Sequence, residues 1–128
     1  MELQVGLKGK VNTIVEREDT AQEVGSGSLL VYATPCMVAL MEGAACEAIA
    51  EAIPDSKTSV GIELNISHVS ATPVGLDVYA EAELIAIDKS ILTFKVSAFD
   101  EAGLIGEGTH KRALVTIQKF LEKTYEKL

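Results

Sequence analysis

The sequence predicts an α+β domain in which a five-stranded antiparallel sheet wraps one long central helix, and three observations predict it. One segment, residues 37–52, is rich in Ala, Leu and Met, which favour helix, and it has no continuous polar side. From Thr58 onward, apolar and polar residues alternate with a period of two. Short turn signals separate the strand-like runs that follow. The 128 residues, 48% of them hydrophobic, suffice for one core and not for two, so residues 1–128 read as a single domain.

Each element has its own signal. Residues 7–18 alternate through Val11, Thr13 and Val15 and read as a first strand, followed by the loop Gly25-Ser26-Gly27-Ser28. Thr34 suits a helix N-cap and Pro35 a first helical turn, so the helix is expected from Cys36 to Ile53. Between Cys36 and Cys46 it is apolar nearly all round, which implies burial on most sides. Pro54-Asp55-Ser56 ends it. In residues 58–68 one face should carry Val60, Ile62, Leu64, Ile66 and His68, and the other Gly61, Glu63, Asn65 and Ser67. After the turn Thr72-Pro73-Val74-Gly75, strands are expected over residues 76–87, 91–100 and 104–118. Residues 119–128 are charged and read as a frayed turn or free end. A sheet wrapped around one apolar helix is the hot-dog architecture. Its strand edges call for pairing between subunits.

Charge and cysteines narrow the function. With 11 Lys and Arg against 19 Asp and Glu, the formal net charge is −8, which argues against general affinity for nucleic acid or anionic membrane. An anionic ligand would need a local basic cluster. The start Met-Glu-Leu-Gln lacks a secretory pattern, and the apolar stretch 29–50 contains Pro35, Glu42 and Glu47, which a bilayer tolerates poorly. A soluble cytoplasmic protein is the expectation. Cys36 and Cys46 would lie about 15 Å apart on a helix, beyond disulfide reach, and are expected to be buried free thiols.

Three polar residues sit in apolar places. Glu42 lies between Met41 and Gly43, where a carboxylate needs a hydrogen-bonding or charged partner to offset its desolvation. The plain alternative is a narrow solvent-facing stripe shared with Glu47. His68 ends the predicted inward face; a lone inward histidine is more often structural, but a helical glutamate in the same layer makes an acid/base pair with it. Thr34 is a cap or a catalytic hydroxyl. Eight residues of regular helix separate Thr34 from Glu42 by about 12 Å. They share a site only if the helix begins after Thr34 and the chain folds back, or if the site forms across a dimer interface. His110-Lys111-Arg112 puts His110 and Arg112 on one strand face, where the arginine could bind a phosphate or carbonyl oxygen; a solvated strand edge is the alternative.

Residues 31–46 (Val-Tyr-Ala-Thr-Pro-Cys-Met-Val-Ala-Leu-Met-Glu-Gly-Ala-Ala-Cys) resemble the central-helix motif of the fluoroacetyl-CoA thioesterase family. Ser59-Val60-Gly61, His68 with residues 70–76, and residues 106–113 resemble its following strand, turn and last strand. The resemblance implies a catalytic triad of Thr34, Glu42 and His68, with Gly61 and Arg112 helping to hold an acyl-CoA substrate. It also implies a homodimer, or two such dimers associated, with the site at the interface. The loop Gly25–Leu30 and Gly43 depart from the phenylalanine-rich lid and the tryptophan of the specialised enzyme, so a different or broader acyl preference is expected. The expected activity is hydrolysis of a short-chain acyl-CoA to free acid and CoA. Glu42 with His68 would activate water or act as nucleophile, Thr34 would orient the reactants, and the Gly61 amide or Arg112 would stabilise the oxyanion. No metal or other cofactor is expected, CoA entering only as part of the substrate. The alternatives are a non-catalytic acyl-CoA-binding module of the same fold and a hydratase, whose Asp–His motif is not found.

Overall fold

The computed structural model describes residues 1–128. In chain order the elements are β1 (Lys8–Ile14), a 3-10 turn (Arg17–Asp19), a short α1 (Ala21–Val24), α2 (Thr34–Ile49) with a 3-10 extension (Ala50–Ala52), β2 (Lys57–His68), β3 (Asp77–Asp88), β4 (Ile91–Asp100), β5 (Gly103–Thr116) and α3 (Ile117–Tyr125). The strands form one antiparallel sheet in the order β1-β3-β4-β5-β2. The expected α+β architecture is present. No helix is long and apolar enough to cross a membrane.

The sheet curls over one side of α2. Met37, Met41, Ala44, Ala45, Ala48 and Ile49 of the helix are buried against Val78, Ala80, Ala82 and Leu84 of β3 and Leu92, Phe94, Val96 and Ala98 of β4. Alternate strand positions turn to this core because strand side chains point to opposite faces. Small residues on both elements bring sheet and helix close together. At Gly9 the approach is closest: a Cβ there would overlap the Ala44 carbonyl oxygen and the Ala48 backbone nitrogen.

The structure corrects several expectations. Ala33, not Thr34, occupies the N-cap position; Thr34 is the first helical residue and Pro35 the second, where a missing N–H costs no helical bond. The expected helix limit at Ile53 shortens to Ile49, with the last turn tightened to 3-10. The helix is not covered on most sides. Pro35, Ala39 and Cys46 are exposed on the side opposite the buried residues, and Thr34 and Glu47 are exposed at its margins. Both cysteines are free, but Cys46 is exposed and Cys36 half-buried, because the sheet covers only the opposite side of the helix.

In β2 the single alternation fails. A bulge between Gly61 and Glu63 inserts Ile62, and it puts Gly61 in register with Arg112 while Leu64 pairs with His110. The extra residue reverses the phase. Gly61 therefore shares the helix-facing side with Leu64, Ile66 and His68, while Ile62 turns outward. The residues expected as a free tail form most of α3. β2 is an edge strand of 12 residues whose Ile62 and Leu64 are 51% and 40% exposed. Such a long apolar edge is a ready template for pairing with another chain.

Candidate active site

Two polar clusters flank α2. The first joins the start of the helix to the end of β2. Thr34, at the first helical position, places its Oγ1 2.8 Å from His68 Nδ1. The hydroxyl is free for this contact because it caps nothing. His68 Nε2, on the other side of the ring, is buried and has no hydrogen-bond partner within the chain. Burial holds this imidazole below the usual histidine range. Neutral His68 has one nitrogen able to accept and one able to donate. Beside the pair lies a cavity of about 290 Å³, walled by Val31, Tyr32 and Val69 among others.

The second cluster lies two helical turns further along. Arg112 on β5 donates from Nη1 to Glu42 Oε2 at 3.2 Å and to His110 Nε2 at 3.1 Å. Its Nε donates to Ser59 Oγ at 2.8 Å and its Nη2 to the Ser59 carbonyl at 3.0 Å. Four of the five guanidinium N–H groups are thereby engaged, and the side chain is only 8% exposed. The solvated-edge alternative for this strand is excluded.

The bonding also fixes the tautomer of His110. Nε2 accepts from Arg112, so Nδ1 carries the proton and donates to the Glu63 carbonyl at 2.9 Å. His110 is therefore a satisfied neutral residue, and its 3.8 Å approach to Glu42 is not an ion pair. Burial, with Arg112 beside it, keeps it below the usual range, while the Glu63 carbonyl opposes that shift.

Glu42 is less buried than its sequence context suggests. Its side chain is 36% exposed and held on one oxygen by Arg112. Its carboxylate turns to Arg112 and Gly61 on the sheet, whereas Glu47 lies beside Lys8–Lys10 of β1, so the two glutamates do not share a stripe. Gly61 stands directly over it: a Cβ there would lie 2.6 Å from Oε2. Arg112 thus fixes the same carboxylate oxygen for which the bare Gly61 leaves room, and Oε1 carries no bond from Arg112.

Of the five residues singled out from the sequence, the structure brings together Thr34 with His68, and Glu42 with Gly61 and Arg112. It does not bring the two groups together within one chain. Because α2 is already helical at Thr34, the route in which the chain folds back is closed. Sequence reasoning missed Ser59, which clamps Arg112 through both its hydroxyl and its carbonyl; its place two residues before Gly61 on a strand was the available signal.

The two lowered histidines set a pH expectation. A histidine whose folded-state pKa lies below its unfolded value, near 6.5, contributes stability that is complete above that value and lost as pH falls through it. The melting temperature is expected to be flat above about pH 7 and to drop below about pH 6. His110→Gln, which does not titrate, should flatten that drop in thermal melts across the range; an unchanged slope would show that His110 is not its source.

The pattern that defines the fluoroacetyl-CoA-specific thioesterase family matches residues 15–118. A fluoroacetyl-CoA thioesterase from Streptantibioticus cattleyicolor is 40% identical over 97 residues, which cover 76% of this chain and 70% of that protein. A crystal structure of the fluoroacetyl-CoA thioesterase FlK superposes with a TM-score of 0.93 at 32% identity, covering 100% of this chain and 99% of the other. A point mutant of FlK in complex with fluoroacetate and CoA gives 0.86 at 33% identity, covering 92% and 99%. A hot-dog-like protein from Thermanaerovibrio acidaminovorans shares the fold at 20% identity, with a TM-score of 0.88 and coverage of 98% and 93%.

Proposed function

The chain belongs to the fluoroacetyl-CoA-specific thioesterase family, and from that membership we propose that it hydrolyses a short-chain acyl-CoA to the free acid and CoA in a site shared by two subunits. The observation that carries the shared site is the division of its residues. The buried, unpartnered His68 Nε2 belongs to the cluster at Thr34, and the half-exposed Glu42 lies about 12 Å along the helix axis from Thr34. Pairing of β2 with β2 of a second copy, with the uncovered sides of α2 facing each other, covers Ile62 and Leu64. It also brings Glu42 of the partner subunit toward His68.

Within that arrangement each residue has a task. Thr34 holds the imidazole by Nδ1, so Nε2 faces the carboxylate. As base, Glu42 takes a proton from a water molecule as the water oxygen bonds the thioester carbonyl carbon; the C–S bond breaks, and that proton passes through His68 to the departing thiolate. As nucleophile, Glu42 itself bonds the carbonyl carbon as the C–S bond breaks, and a water molecule, its proton passing through His68 to the thiolate, then cleaves the anhydride to the free acid and the Glu42 carboxylate. The Gly61 amide and the positive end of α2 at Thr34 are the groups available to the developing oxyanion. Arg112 serves as a positioning residue for Glu42, since most of its donors are committed inside the protein. The cavity of about 290 Å³ beside Thr34 and His68 suits a short acyl group. Acyl preference is expected to be broader than fluoroacetyl, because the loop Gly25–Leu30 is small and flexible in composition.

The test is a panel of acetyl-, propionyl-, fluoroacetyl- and hexanoyl-CoA, with CoA release followed by a thiol-reactive dye and binding by calorimetry. Repeated turnover on the short acyl chains is expected, from a particle of twice the 13.6 kDa chain mass. Binding without release would instead favour an acyl-CoA-binding module.

A further inference from the structure

α3 is amphipathic, and its apolar side is left uncovered by its own chain. Ile117, Phe120, Leu121 and Tyr125 recur at helical spacing and are 36%, 40%, 42% and 60% exposed, while Lys119, Glu122 and Lys123 form the opposite side. The helix begins against the start of β2, where the Ile117 amide donates to the Ser56 carbonyl. The cavity beside Thr34 and His68 lies at the other end of that strand. Twelve residues of strand make this about 36 Å. The α3 of a chain therefore does not reach the cavity of the same chain.

The shared site proposed above fixes which copy does. If Glu42 beneath Gly61 is to meet His68 of the partner subunit, antiparallel β2 strands must set Gly61 opposite about His68. That register pairs eight residues, 61–68, about a dyad between Leu64 and Asn65. It carries Lys57, and with it the start of α3, to a position opposite about Thr72. Val69, 58% exposed, together with Ser70 and Ala71, lines the cavity at that end. Strands are about 4.8 Å apart and nine helical residues span about 13 Å, so α3 is long enough to cross the end of β2 and reach the neighbouring strand.

We infer that the apolar side of α3 closes the acyl cavity of the other subunit, so that Phe120, Leu121 and Tyr125 form part of its wall and help set acyl-chain preference. The occupant of the exposed helix face is thus a second copy of this chain, seated at Val69. This rests on the shared-site reading, whose own failure has a separate signature.

The experiment uses the full chain with Cys36 and Cys46 replaced by Ser. Val69→Cys is combined in turn with Phe120→Cys, Leu121→Cys or Tyr125→Cys, and the proteins are oxidised and run without reductant, with each single-cysteine variant as control. A covalent dimer from at least one pair, absent from its controls, is the expected result. A dimer by light scattering with no pair linked, a link within one chain, or α3-dependent binding to lipid vesicles in place of linking would overturn the inference. A wild type that is monomeric by light scattering would show instead that the shared-site reading had failed. As a second readout, Leu121→Asp should remain dimeric and raise KM for propionyl-CoA about tenfold with little change in kcat. An unchanged KM counts against a wall contributed by α3.

Discussion

Glu42→Ala is expected to lower steady-state thiol release from acetyl- or propionyl-CoA by about a thousandfold, within the range attributed to a positioned acid/base group. The loss should be chemical rather than structural. Arg112 keeps its bonds to Ser59 and His110, so the fold survives, although a buried guanidinium donor left without its acceptor costs about 1–3 kcal/mol. Glu42→Gln separates the two effects. An amide oxygen still accepts from Arg112 but neither takes up a proton nor attacks a thioester. That variant should match the alanine in activity and approach the wild type in melting temperature. Near-normal turnover in either variant would remove Glu42 from the chemistry.

Gly61→Ala is expected to cost about a hundredfold in kcat while leaving stability nearly intact. The added methyl would lie 2.6 Å from Glu42 Oε2, 3.2 Å from His110 Cε1 and 3.4 Å from Arg112 Nη1. Of these, the carboxylate is the end of a flexible side chain, so it moves and the sheet does not. A shift of about 1 Å at a reacting group is enough for a loss of that size. Activity comparable to wild type, with a melting temperature also unchanged, would mean that the placement of the carboxylate under Gly61 has no bearing on turnover.

Much of this molecule was legible in its residues. Period-two alternation located β3, β4 and β5, because strands with one face on the core must alternate. The His110-Lys111-Arg112 triplet likewise put His110 and Arg112 on one strand face, while which face turns inward was not legible from the triplet alone. Two kinds of information were hidden. The bulge in β2 turns on one inserted residue, Ile62, in a run whose apolar pattern continues without interruption, so composition gave Gly61 the wrong face. The helix reads as buried on most sides because its sequence is apolar nearly all round, whereas the chain itself covers only one side. Under the proposed shared site, the other side and the separation of Thr34 from Glu42 along α2 have one cause, since apolar spacing does not say which chain supplies the cover. The amphipathic spacing from Ile117 to Tyr125 was present but masked by the surrounding lysines and glutamates.

The measurement that bears most directly on the shared site is complementation between two inactive variants. Glu42→Ala and His68→Ala chains are unfolded together, refolded as a mixture and assayed for CoA release against each variant refolded alone. If one subunit supplies the carboxylate and the other the imidazole, half of the dimers are mixed and each restores one site of two. The mixture should then recover about a quarter of the wild-type rate. A mixture that stays as inactive as its components, though dimeric by light scattering, would contradict a site divided between subunits.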